Sequence, residues 1–247
     1  MKLQVFQNVI SISEAKMDKN NIIHFRKSKK VKENKDEFFK SNIDTKVHLG
    51  SIVTNNDFKI YKNNYFGLEM KVPYNWITLE HEEVIRIAQE KFKRLNISET
   101  EKNKMIEAMT TNSISLFSAT PFPRGTKQPY GSNQKLDNPS LNCTAQKVIM
   151  HPNQTSSDFM EGIVGQLKSG SMGVKYNEVS DVHSVIISGK RFDAIEGKAF
   201  INDDRDTVHT KCYSILKKGY QLLIITSSIT EEGSKDLDKL VTNLVID

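Results

Sequence analysis

Phe66, Leu68, Met70 and Val72 alternate with Gly67, Glu69 and Lys71. A period of two predicts a strand with one buried face. Pro73 has no N–H to offer a ladder and stops it. Asn63-Asn64 just ahead predicts a turn from a short strand over 59–62. The period then lengthens: Val84, Ile87, Ala88, Phe92 and Leu95 recur at helical spacing and predict a helix over His81–Leu95. Ser98-Glu99-Thr100-Glu101 is a capping box for a second helix, with Met105, Ile106 and Met109 turned inward. Strands are predicted over Ser113–Ala119 and Asn142–Met150. Thr155 opens a helix whose inner face is Phe159, Ile163 and Leu167. Gly170 closes that helix through a left-handed cap.

The C-terminal third reads as a sheet. Val182–Ser188, Phe192–Ile201, Val208–Leu216 and Tyr220–Ser227 are strand-like, with turn signals at Gly189-Lys190, Asn202–Asp206 and Lys217-Lys218-Gly219. Connections this short imply antiparallel neighbours. In Leu222–Ile225 both faces are apolar, so that strand belongs in the centre with cover on two sides. Val182–Ile187 carries a weaker signal of the same kind. A last helix over about Thr230–Asn243 presents Leu237, Leu240, Val241 and Leu244. The expectation is an α+β chain folded as a three-layer α-β-α sandwich around a mainly antiparallel sheet.

Charge divides the chain. Of its 35 basic and 30 acidic residues, 11 and 6 lie in residues 1–50, which leaves the remainder balanced at 24 and 24. The expected organisation is a basic, partly disordered segment over 1–57 and one domain over 58–247. A domain of about 190 residues would bury roughly 70% of its unfolded surface, enough for a core without staples. Arg26, Lys27, Lys29, Lys30 and Lys32 form a cluster suited to solvation, or to weak contact with an acidic surface. It has no interleaved aromatics beyond Phe25, which argues against single-stranded nucleic acid.

Candidate chemistry is sparse. Two cysteines, Cys143 and Cys212, allow at most one disulfide and read as free buried thiols. The histidines show no metal-ligand spacing and read as surface or cap residues, although His183 and His209 lie in strand regions that could meet. Asn202-Asp203-Asp204-Arg205-Asp206 lacks the spacing of a calcium loop. No Gly-x-Ser-x-Gly elbow is present. Catalytic residues, metal and cofactor are therefore not expected. The stretch Pro121–Tyr130 is more suggestive. It belongs to a long proline-rich loop and carries Phe122, Arg124, Lys127 and Tyr130, aromatic and cationic types that anchor binding surfaces.

The order of motifs resembles the PsbP-like superfamily, which includes PsbP photosystem proteins and bacterial DcrB-type proteins. The residues that carry it are Tyr65-Phe66-Gly67-Leu68 followed by Val72-Pro73-Tyr74-Asn75-Trp76, the helix starting near Thr155, Ile187-Ser188-Gly189-Lys190-Arg191-Phe192, and Tyr213–Tyr220 with the apolar strand and final helix beyond it. The resemblance spans roughly Phe58–Asp247. It implies an α-β-α sandwich with Trp76 folded back as a lid over the core. Its members serve as assembly factors, lipoproteins or chaperones, so it implies a fold rather than an activity. The reading that follows is a non-enzymatic protein-binding or assembly module. The alternatives are a cytoplasmic chaperone for a secreted effector or an unrecognised hydrolase. As written, the chain shows no export signal and is expected in the cytoplasm. A different native start would allow an exported or lipoprotein form.

Overall fold

In the computed structural model, residues 49–93, 98–103, 113–123, 137–147, 155–170, 174–201 and 206–247 are described. The alternation noted at Phe66–Val72 becomes β3 (Leu68–Pro73), whose Leu68, Met70 and Val72 are buried. It pairs antiparallel with β2 (Phe58–Asn63). Two short strands that no sequence period announces complete this sheet: β1 (Ser51–Thr54) pairs with β2, and β12 (Val245–Ile246) pairs with β3. Among the described residues this sheet begins at Ser51, ahead of residue 58. β1 is mostly exposed, so it carries no apolar alternation to reveal it. The basic cluster at 26–32 and the helix expected around Met105–Met109 lie outside the described residues.

The larger sheet has eight strands. Its order is β4 (Ile77–Glu80), β5 (Ser113–Thr120), β6 (Ser140–Lys147), β11 (Tyr220–Ser228), β10 (Asp206–Lys217), β9 (Lys190–Ile201) and β7 (Glu178–Val179), and β8 (His183–Ile187) also pairs with β9. Every pairing is antiparallel. β11 lies in the middle, as its two apolar faces require. β8 does not: it is an edge strand, with Ile186 69% exposed. Its hairpin with β9 turns on Ser188 and Gly189, at φ 51° and 71°. That two-residue turn holds β8 on the outer side of β9, whatever its apolar content.

Three helices are described along most of their length: α1 (His81–Lys93), α2 (Ser156–Ser169) and α3 (Glu231–Thr242). The Thr155 hydroxyl accepts from the Asp158 N–H, and the Asp158 carboxylate accepts from the Thr155 N–H at 2.7 Å, so α2 opens on a full capping box. It closes on Gly170 at φ 72°. Ser98 and Glu101 form the expected capping box. No helix among the described residues is long and apolar enough to cross a membrane.

Both faces of β11 are covered, by different material. Leu222 and Ile224, with Cys143 of β6 and Phe117 of β5, pack against Tyr61, Phe66, Leu68 and Met70 of the small sheet and against Leu237, Val241 and Leu244. Tyr61 stacks on Phe117 with ring centres 4.9 Å apart. Trp76 is buried in this cluster, as a lid would be. Leu223 and Ile225, with Ile195 and Cys212, pack beneath Phe159, Met160, Ile163 and Leu167 of α2. The fold is thus mixed α+β with antiparallel sheets, and one of its outer layers joins a four-stranded sheet to a helix. The layers are tied by the Ile52 N–H donating to Glu80 Oε1 at 2.8 Å and by Lys59 Nζ donating to the Trp76 carbonyl at 2.6 Å.

Candidate binding site

β5 and β6 open a long connection at one end of the large sheet, and both of its feet are held. At the first foot, the Thr120 hydroxyl donates to the Phe122 carbonyl at 2.7 Å. The Asn138 amide then pairs with the Phe122 backbone in both directions: Phe122 N–H donates to Oδ1 at 3.1 Å, and Nδ2 donates to the Phe122 carbonyl at 3.2 Å. This two-point clamp fixes the backbone of a large aromatic that stays 41% exposed. An Asn side chain that reproduces a backbone ladder is a recurrent way to brace a loop that lacks a strand partner.

The second foot is anchored at long range. Asp137 Oδ1 accepts the Ile229 N–H at 3.1 Å, and Oδ2 accepts the Thr230 N–H at 3.1 Å and the Thr230 hydroxyl. Thr230 is the N-cap of α3 and accepts the Gly233 N–H at 3.0 Å. The loop therefore supplies a carboxylate to the positive end of α3. Gly233 makes this approach feasible, because a Cβ there would collide with the Asp137 carboxylate.

Of the residues that sequence reasoning selected, Phe122 stands at this mouth, and Arg124, Lys127 and Tyr130 lie outside the described residues. Sequence reasoning passed over Asp137 and Asn138. Their one local signal is Asp-Asn-Pro, a turn-initiating run directly ahead of β6.

His81 also departs from expectation, since it is buried rather than a surface cap. β4 runs straight into α1, which turns His81 onto β5, and its Nδ1 lies 3.1 Å from the Ser115 carbonyl. Burial holds its pKa below the usual histidine value, and the hydrogen bond opposes this in part. Around it the α2-side face of β5 and β6 is polar yet buried, with Ser115 opposite Thr144 and Ser118 opposite Asn142. His183 and His209 are not brought together: they flank β9 from opposite sides, at Ala194 and at Lys198. Cys143 and Cys212 are free thiols on opposite faces of the sheet, each pushed up to about 12 by burial. Of the acidic cluster, residues 202–205 lie outside the described residues, and Asp206 begins β10. Among the described residues no group of three or more His, Cys, Asp or Glu side chains could hold a metal ion.

The opposite end of the large sheet carries an open cavity of about 350 Å³, lined by Thr155, Ser156 and Ser157 at the start of α2 and by Arg191, Asp193, Ile215 and Leu216. Gln221 Nε2 donates to Ser156 Oγ at 2.6 Å and ties the helix start to β11.

No family model and no curated protein matches the chain. Solved structures similar to it include the cyanobacterial PsbP protein CyanoP of Synechocystis sp. PCC 6803, at 13% identity and a TM-score of 0.42, covering 79% of this chain and 95% of that one. Another is LpqN, involved in cell envelope biogenesis of Mycobacterium tuberculosis, at 13% identity and a TM-score of 0.39, covering 72% and 82%. A third is a protein of unknown function from Pseudomonas aeruginosa, at 11% identity and a TM-score of 0.29, covering 49% and 89%. Likeness at these values says nothing about what the chain binds.

Proposed function

We propose that the chain is a non-enzymatic protein-binding or assembly module of the PsbP-like type, and that it meets its partner at the mouth of the connection between β5 and β6. The observation that carries this reading is Phe122, an aromatic left 41% exposed on a backbone clamped from both sides by Asn138. A pre-braced aromatic loses little conformational freedom on binding, and aromatics dominate the energetics of protein interfaces. The anchoring of Asp137 on α3 holds the second foot in the same way. Arg124, Lys127 and Tyr130 follow in the sequence and extend the same chemistry.

The test starts from a photo-crosslinking residue at position 122 in the full chain, which identifies the partner. The affinity of that purified partner is then measured for the parent chain and for Phe122→Ser. The expected result is a loss of about tenfold or more, with thermal stability unchanged because the side chain is exposed. Equal affinity for both chains would remove this surface from the reading. Deletion of residues 121–139 is not a clean substitute, since it also removes the Asp137 carboxylate from the start of α3.

A further inference from the structure

We infer that the end of the large sheet opposite Phe122 is a docking surface for an anionic lipid bilayer, with Ile186 and Leu216 as the inserting side chains and the lysines around them as headgroup contacts. Two tight hairpins make this end. The β8–β9 turn has Ser188 and Gly189 at φ 51° and 71°, and the β10–β11 turn has Lys218 and Gly219 at φ 51° and 77°. Positive φ at both central residues makes each a compact turn that projects beyond the strands.

The cations gather here by register. Lys190 sits opposite Ile187, Lys217 opposite Tyr220, and Tyr220 opposite Lys147 of the next strand. Carrying the register from Ser214 opposite Asp193 toward the turn puts Arg191 beside Leu216 and Lys190 beside Lys217. Burial first, and then the nearby Lys190 and Lys218 ammonium groups, hold the Lys217 pKa below the usual lysine value, with Asp247 opposing them. Lys147, Lys190, Arg191 and Lys218 form no ion pair among the described residues, while Lys218 Nζ donates to the Tyr65 carbonyl at 2.6 Å and Arg191 Nε to Ser184 Oγ at 2.9 Å. The carboxylates nearby are those of Asp193 in the cavity and Asp247, whose main-chain oxygen accepts from Lys217. Asp158 is engaged by Thr155 at the start of α2. Cations therefore exceed carboxylates among the described residues named here, although residues 51–247 carry equal numbers of basic and acidic residues.

Apolar side chains stand among these cations. Ile186 is 69% exposed and lies directly opposite Arg191, and Leu216 is 37% exposed on the far side of Arg191. Ile186 flanks the projecting β8–β9 turn, and Leu216 stands at the rim of the open cavity beside the β10–β11 turn. Aliphatic tips surrounded by lysine and arginine suit the boundary between headgroups and acyl chains. Each lysine close to an anionic bilayer strengthens binding about fivefold, and an inserted isoleucine by about tenfold or more. An acidic protein would satisfy the cations but leave Ile186, 69% exposed beside a convex turn and outside the cavity, without a matching pocket, so the bilayer is the better fit.

The test is co-sedimentation of the full chain with phosphatidylcholine vesicles and with vesicles that also contain phosphatidylglycerol. The expected result is binding to the anionic vesicles only, weakening as salt rises. Ile186→Ser and Lys190→Glu are each expected to weaken it by on the order of tenfold, with far-UV dichroism and melting temperature unchanged. Replacement of Arg26, Lys27, Lys29, Lys30 and Lys32 by Gln controls for the basic N-terminal segment and is expected to leave a component that Ile186→Ser still weakens. No binding to the anionic vesicles overturns the inference, as does binding indifferent to Ile186→Ser and Lys190→Glu. Equally tight capture by polyglutamate, also indifferent to Ile186→Ser, would overturn it in favour of an acidic protein.

Discussion

The two faces of β11 are equally dry and differently covered. On one, Leu222 and Ile224 meet residues drawn from both ends of the folded chain, Phe66 to Met70 on the small sheet and Leu237 to Leu244 near the C-terminus. On the other, Leu223 and Ile225 meet a single helix, α2. The first cover is rich in aromatics: Tyr65, Phe66 and Tyr220 make mutual edge contacts with centres 4.8 to 6.2 Å apart. The second is mostly aliphatic. Moving across the second face onto β6 changes the chemistry again, because Asn142 sits opposite Ile225 and Thr144 opposite Leu223. A strand with apolar residues on both faces thus demands cover without dictating its kind, and one face of one sheet can be oily beneath a helix and polar on the next strand.

The strongest way to break this contrast is Phe66→Ala. Phe66 is fully buried where the small sheet meets Tyr220, so truncation should cost about 3–5 kcal/mol, read by urea denaturation. A loss below about 1 kcal/mol would show that the small sheet is an accessory rather than a core layer. Ile163→Ala probes the helical cover and should cost about 2–5 kcal/mol, toward the lower end because α2 can settle into the space.

A smaller effect sharpens the polar side. The pKa of His81 is lowered in the folded chain, chiefly by burial. Between that lowered value and about 6.5 the unfolded chain binds a proton that the folded chain refuses, so stability falls as pH drops through this window. His81→Asn keeps a donor for the Ser115 carbonyl and removes the titration. Its melting temperature should lose less than the parent's between neutral and mildly acid pH, and parallel curves would refute the assignment. The smallest effect belongs to Thr144→Val, within about 1 kcal/mol of neutral, since shape is kept while one hydroxyl is exchanged in a polar setting. A loss as large as that of Ile163→Ala would mean that the polar strip is a tightly satisfied network.

Much of the fold was legible because its signals are local. The alternation at Leu68–Val72, the helix start at Thr155, the capping box at Ser98, the left-handed cap at Gly170 and the tight turn at Gly219 each involve residues a few positions apart. The candidate site was legible only in part. Phe122 stood out as an aromatic between prolines, whereas Asp137 and Asn138 gain their roles from Ile229, Thr230 and Phe122. The central place expected for Val182–Ile187 failed because apolar composition does not say which side of β9 a hairpin partner will take.

What the chain's order of residues determined alone was its long strands and main helices, the centrality of Leu222–Ile225 and the antiparallel run of its last strands. Backbone periodicity, caps and turn geometry are decided by neighbours in sequence, so they can be read in sequence. Only the tertiary structure decided that β1 and β12 would build a second sheet, that His81 would be buried against β5, and that a loop carboxylate would cap a helix some ninety residues on. Such contacts form only after distant segments have been brought together. Their energy depends on what else packs beside them, and no local pattern encodes that sum.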